Sequence, residues 1–284
     1  MEWSRIKTIV LIILAVTNIC LLGFLLQREL QKQSAQQEAR QNAVSFLQEN
    51  GISLDEEVLP QEMELLPQTV EWDREQERSA AEVVLGGEVQ EQAWSDEIYR
   101  YYNERGSIQF HRDGTFQCEF VEGAFPLEDQ DPADLGTGLL SLLGIQGEVQ
   151  SVQVDSGDTD STLVVYQQLW NEVPIFNHLI TLTFRSDCLT GVDGRRLTGD
   201  PSPDSSRQPI SIPTAVFQFY HGMAELGDVC SRIERITPGY VTSTGSGPST
   251  LTPVWQIATD TRNYRLDTVT GELSRADEGI VAES

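Results

Sequence analysis

His111, His178 and His221 are the chain's three histidines, and they fall in separate stretches with neither HxxxH nor HxxE spacing. A zinc hydrolase needs ligands that converge from one helix or hairpin, so these three read as surface or hairpin histidines. Asp155, Asp158 and Asp160 in DSGDTDS begin like a calcium loop, but the glycine is misplaced and the twelfth position counted from Asp155 is Tyr166. A bidentate glutamate is required there, so a solvated loop is expected. No GxSxG, Walker loop or dinucleotide fingerprint occurs, which leaves nucleotide chemistry and serine-hydrolase chemistry unsupported. With 44 Asp+Glu, some carboxylates will lie near one another, and composition alone neither supports nor excludes a glycosidase pair. Outside the N-terminal apolar run, Cys118, Cys188 and Cys230 allow at most one bridge with one thiol left over, and no CxxC pair exists for redox work. They read as isolated buried thiols. These residues point to no catalytic group, metal or cofactor, and the chain reads as a non-enzyme.

The elements that carry these residues follow from composition and pattern. At 284 residues the chain has room for about two domains. Its 19 Lys+Arg against 44 Asp+Glu give a formal charge of -25, so it lacks the basic footprint that nucleic acid requires. Thr8 to Leu26 carries no charge, and at 1.5 Å per residue it approaches the roughly 30 Å hydrocarbon core of a bilayer. It reads as a transmembrane helix. The apolar run continues to Leu26 without a small-x-small site, and Thr17-Asn18-Ile19 before Cys20 is not a lipoprotein context, so an uncleaved signal anchor is expected. The short tail with Arg5 and Lys7 favours a cytoplasmic N-terminus and an extracytoplasmic remainder. Within the apolar run, Asn18 is the residue with most to gain from a hydrogen bond across a helix interface, and Thr17 and Gly23 add small or polar contact points.

Beyond the apolar run, Leu30 to Glu49 has helix formers, an apolar face at Ala39, Ala43, Phe46 and Leu47, and a stop at Asn50-Gly51. Alternation at Ile108, Phe110, Phe116, Cys118 and Phe120 around Arg112-Asp113-Gly114 predicts a hairpin. DLGTGLLSLLG from Asp134 and TAVFQFYHGMAEL read as helices, each followed by strands. The segment from Gly199 to Pro209 reads as a linker. Trp170, Trp255, Tyr220, Tyr240 and Tyr264 read as core or half-buried sheet residues. The expected class is α+β. Residues 1–7 form a cytoplasmic tail, 8–26 a transmembrane helix and 27–34 a juxtamembrane helix. Extracytoplasmic lobes follow at 35–122, 126–199 and 209–276, each a helix on an antiparallel sheet, with one sheet face left open for binding.

The N-terminal MEWSRIKTIVLIILAVTNICLL, the PIF at Pro174 and the C-terminal LTPVWQIATD with YRLDTVTGEL are similar to the YycI family and, more loosely, to YycH and PepSY-type modules. The layout matches over the whole chain, and the specific likeness covers about the first 22 and last 35 residues. The resemblance implies a membrane-anchored accessory regulator of a sensor histidine kinase of the WalK (YycG) type, working beside a YycH-like protein in the control of cell-wall metabolism. It implies helix contacts to the kinase from Trp3, Arg5 and Lys7 at the inner interface and from Asn18 within the helix. An extracytoplasmic PepSY-like inhibitor or chaperone of a peptidase or wall hydrolase is the alternative function.

Overall fold

The computed structural model describes residues 2–61, 63, 65–155, 161–243 and 248–276, with side chains at only some positions before residue 34. The first element, α1 (Glu2–Glu49), is a single helix of 48 residues. It ends where the sequence offers a stop: Gly51 takes φ +84°, and the Asn50 backbone N–H and side-chain amide both donate to Phe46 O. Its last turns bury Ala43, Val44 and Leu47 against α4 (Ile212–Leu226). There Phe46 meets Phe217 and Tyr220 at ring separations of 4.4 and 5.2 Å.

Among the described residues no helix is long and apolar enough to cross a membrane. The transmembrane helix over 8–26, the signal anchor and the single-pass localisation, with a cytoplasmic N-terminus and an extracytoplasmic remainder, are corrected on that finding. The apolar stretch is the first part of a longer helix whose polar end packs into the sheet-bearing body.

The strands are β1 (Gln68–Val70), β2 (Gln90–Ser95), β3 (Ile98–Asn103), β4 (Gly106–His111), β5 (Thr115–Phe120), β6 (Gln146–Asp155) and β7 (Ser161–Trp170). After them come β8 (Val173–Arg185), β9 (Cys188–Arg195), β10 (Pro201–Pro203), β11 (Ile233–Ser243), β12 (Ser249–Thr259), β13 (Asn263–Asp267) and β14 (Leu273–Arg275). Two further helices are α2 (Arg74–Leu85) and α3 (Pro132–Leu142).

All fourteen strands join one mixed sheet in the order β10-β1-β12-β11-β8-β9-β5-β4-β3-β2, with β13 and β14 continuing from β12, and β7 and β6 from β8. This corrects the expected series of helix-on-antiparallel-sheet lobes behind a transmembrane helix. The reason lies in β8. Its thirteen residues are long enough to serve two partners, with Ile180 to Arg185 antiparallel to β9 and Ile175 parallel to Tyr240 of β11. The expected linker is likewise part of the sheet, since Pro201–Pro203 pairs antiparallel with β1.

The helices pack on this sheet over two main cores. Under α2 and α3 lie Tyr101, Ile108, Phe110, Val164, Tyr166 and Leu182; under α4 and the end of α1 lie Trp255, Ile257, Tyr264 and Leu266, with Phe219 of α4 packed on Tyr264. A smaller cluster of Val70, Ile175, Tyr240 and Leu251 fills the junction between them. α2 is held at both ends by its own sequence. The Asp73 carboxylate accepts from the N–H groups of Glu75 and Gln76, and Gly86 closes the helix at φ +71°.

Candidate interaction edge

The partner-contact residues expected from sequence, Trp3, Arg5, Lys7, Thr17, Asn18 and Gly23, all lie on α1. Thr17 and Asn18 are exposed; the surroundings of Trp3, Arg5, Lys7 and Gly23 lie outside what is described. Of DSGDTDS, positions 156–160 also lie outside the described residues, and among those described no group of three or more His, Cys, Asp or Glu is placed to hold a metal ion. All four cysteines are free thiols.

His178 is not the surface histidine expected from sequence. It is 2% exposed, with Nδ1 2.8 Å from Gln168 Oε1 and Nε2 2.6 Å from Thr242 Oγ1. Burial, aided by the charge of Arg195, pushes its pKa down to about 3. Next to it, Asn177 accepts from Thr242 N at 3.0 Å and donates to Thr242 O at 2.8 Å. These four side chains tie β7 and β8 to β11, and each of the strands they join belongs to the sheet framework. A cleft of about 420 Å³ opens beside this junction, lined by Met63, Leu65, Pro174, Pro238 and Trp255 among others.

A second buried polar group sits under α2. Glu77 accepts from Trp72 Nε1 at 2.9 Å and faces the Arg196 guanidinium at 3.6 Å, both side chains being almost wholly buried. Burial raises the Glu77 pKa, against the pull of Trp72 and Arg196, and burial lowers that of Arg196. The Arg196 guanidinium also lies over the Phe110 ring at 4.5 Å. Each of these groups is enclosed by the core, which fits a structural role.

The strand edges are where the sheet leaves backbone groups unpaired. An edge strand presents a row of unpaired N–H and C=O groups, and proteins ordinarily blunt such rows with prolines, inward charges or brevity. Among the described residues the sheet has four edges, and three of them are blunted. β10 has prolines at two of its three positions and so one N–H to offer. β14 is three residues long, and its Arg275 is held by Asp228 at 2.8 Å. β2 turns Glu91 toward the core side, opposite the buried Tyr101, where Arg74 pairs with it while lying 3.9 Å over the Tyr99 ring.

Among the described residues the fourth edge, β6, is open over ten residues and pairs on one side alone, with β7. Its register sets Val149, Val152 and Val154 opposite Tyr166, Val164 and Thr162. Directly paired residues share a sheet face. Tyr166 and Val164 are fully buried, so the three valines stand on the core side; yet they are 39%, 50% and 67% exposed. A bulge between Val149 and Ser151 is what puts Val149 on the same side as the other two. Alternation in VQVD marks a strand in the sequence. That its inward face is uncovered depends on β6 being the last strand, which nothing local encodes.

Comparison with protein-family models finds no match, and no curated protein matches. Among solved structures the chain is similar to an uncharacterized protein from Eubacterium rectale, at 10% identity and a TM-score of 0.43, covering 74% of this chain and 84% of that one.

Proposed function

We propose that the chain is a non-catalytic accessory regulator that works by binding another protein. Its partner is a sensor histidine kinase of the WalK (YycG) type, acting with a YycH-like protein, as the resemblance of its two ends to the YycI family implies. The observation that carries the binding role is the open β6 edge with its uncovered valines. Edge pairing supplies main-chain hydrogen bonds for affinity, and alternate side chains supply selectivity. A regulator of this kind biases a kinase by the difference in contact energy between its two states. A difference of about 1 to 2 kcal/mol changes the population ratio several-fold or more.

The test is co-purification of the kinase with the full chain and with a Val152→Glu/Val154→Glu variant, together with the kinase's autophosphorylation rate. Capture by the unaltered chain, with a changed rate that the variant abolishes, is the expected result. No capture by either form refutes the kinase reading, and capture of a peptidase instead favours the PepSY-like inhibitor reading.

A further inference from the structure

A deeper inference concerns what β6 receives, and it rests on the protein-binding reading above. The first possible occupant is a second copy of the chain, and charge argues against it. Both ionisable residues of β6, Glu148 and Asp155, are acidic. An antiparallel pairing of two copies centred on Val152, with the bulge between Val149 and Ser151 kept in each strand, sets Val149 opposite Val154 and brings Glu148 of each copy opposite Asp155 of the other. Like charges directly opposite one another destabilise a strand pair, and each copy carries a formal charge of -25.

The surroundings of the strand favour a basic partner instead. At Gln146, its N-terminal end, β6 opens into a groove of about 650 Å³ between α2 and the end of α3, whose charged lining is Asp73, Glu75 and Asp200 against the single, almost wholly buried Arg196, with Leu142 and Val83 beside them. Leu142 and Val83 are 48% and 54% exposed there. The α3 C-terminus, whose last carbonyls carry the negative end of the helix dipole, also faces this groove through Leu142 and Leu143. Apolar contact along the strand thus leads into a negatively charged pocket at one end.

We infer that β6 accepts an extended segment of a partner protein as an added antiparallel strand. The segment is apolar at alternate positions, so that it covers Val149, Val152 and Val154. It carries Lys or Arg at its C-terminal end, which lies beside Gln146 and enters the groove of Asp73, Glu75 and Asp200. Antiparallel addition sets this polarity, because the C-terminal end of the added strand faces the N-terminal end of β6. Ten residues at about 3.3 Å each give a pairing length of roughly 33 Å, enough for a complete edge strand.

The probe is a fluorescein-labelled peptide, Thr-Val-Thr-Val-Thr-Val-Thr-Lys-Arg-Lys, titrated with the full chain and followed by anisotropy and amide hydrogen exchange. Control peptides place Glu-Asp-Glu at the C-terminal end, move the basic triplet to the N-terminal end, or replace alternate threonines by proline. The unaltered chain should bind the probe about tenfold or more tightly than any control. Val152→Glu/Val154→Glu should weaken binding by a similar factor, since a buried unpaired charge is costly. Both valines are at least half exposed, so the variant should melt as the parent does. Protection should rise over residues 146–155 and not over 90–95, and binding should weaken with salt.

Equal binding by the variant, protection at β2 instead of β6, or indifference to the basic end overturns the inference. So does a concentration-dependent dimer that protects the same amides. Kinase capture without probe binding leaves the regulatory reading standing and refutes this one. Probe binding without kinase capture does the reverse.

Discussion

The buried pair of Glu77 and Arg196 offers a quantitative test of how the α2 face is held. Glu77→Gln removes the carboxylate charge but keeps an oxygen for the Trp72 N–H, which donates to Oε1 at 2.9 Å in the native chain. What changes is Arg196. Its side chain is 7% exposed, and 3.6 Å away it loses the one carboxylate it pairs with. The Phe110 ring at 4.5 Å compensates only in part, because a cation on an aromatic face is worth about 2 kcal/mol when desolvated. Breaking a buried pair from one side costs about 3 to 5 kcal/mol. With a urea m-value near about 3 kcal/mol/M for a chain of this size, the midpoint should fall by roughly 1 to 1.7 M. Trp72, hydrogen-bonded to the altered residue, is a local fluorescent reporter.

The complementary change, Arg196→Met, has a pH signature that Glu77→Gln lacks. Burial already raises the Glu77 pKa, and removal of Arg196 raises it further. The folded state then holds a proton that the unfolded chain has released. Stability should therefore fall as pH rises from the ordinary carboxylate range through the raised value, by about 1.4 kcal/mol per pH unit. Glu77→Leu combined with Arg196→Met should recover most of the loss, since a buried pair exchanged for apolar residues is often neutral or better. A Glu77→Gln cost under about 1 kcal/mol, a flat pH response in Arg196→Met above the ordinary carboxylate range, or a double variant no better than the sum of the singles would refute this account.

Two glycines of α3 should respond in opposite directions. A Cβ on Gly136 would sit 2.5 Å from Tyr166 Oη and 2.8 Å from Leu182 Cδ2, so Gly136→Ala should lose about 1 to 3 kcal/mol to overpacking despite better helix propensity. A Cβ on Gly138 meets nothing within 4 Å, so Gly138→Ala should gain about 0.5 to 1 kcal/mol; thermal melts showing the same sign for both would contradict the packing described. Three loop aspartates have lowered pKa values: Asp204, to about 2, through Ser206 and then Arg207; Asp228 through Arg275; and Asp260 through Ser231. Their stabilisation is complete above the ordinary carboxylate value and is lost as pH falls through the lowered ones. Melting temperature should drop between pH 5 and 2, less steeply in Asp228→Asn, and a parallel curve for that variant would exclude Asp228 as a contributor. Cys20 is exposed, whereas Cys118 is 1% exposed with its thiolate strongly disfavoured by burial, and burial pushes the Cys230 thiol up to about 11. A disulfide reagent at pH 8 should therefore modify Cys20 first and reach Cys118 only after unfolding; early loss of Cys118 in peptide mapping would show that the core opens.

Much of the local structure was written in the sequence. The stop at Asn50-Gly51, the β4–β5 hairpin about Asp113-Gly114, and helices at 132–142 and 212–226 each have a capping residue or a period that acts within a few positions. α2 had comparable signals, with Asp73 three residues before Gln76 and Gly86 after its last turn, but the expected first lobe passed over it. The long-range features carried no such marks. Pro201–Pro203 has the composition of a linker and becomes a strand because Gln68–Val70, more than a hundred residues earlier, offers an edge. His178 finds its partners at Gln168 and Thr242 on two other strands, and no spacing rule links those three positions. The apolar stretch at 8–26 reads as a span from its own composition, yet among the described residues no helix is long and apolar enough to cross a membrane, and the stretch lies in the same helix as the residues that pack against α4.

The organisation of β8 explains why this chain forms one sheet where its succession of helices and strands suggests several lobes. Residues Ile180 to Arg185 lie between β7 and β9, and their side chains feed the core under α2 and α3. Residues near Ile175 lie beside β11 and feed the junction cluster with Tyr240 and Leu251. The parallel register at that seam is a single pair, Ile175 with Tyr240, so backbone bonding alone holds it weakly. Side chains supply what the ladder lacks. Asn177 bonds both the N–H and the carbonyl of Thr242, much as a neighbouring strand would, and His178 reaches the hydroxyl of the same residue. The backbone of Gly239 also passes so close to the Phe176 ring and the Pro174 carbonyl that no Cβ would fit. Buried polar contacts of this kind are directional, and a register shift of one residue would strand several of them at once. The seam is thus specified by side-chain chemistry. It holds β7 in place, and through β7 it holds β6 at the margin of the sheet with its valines uncovered.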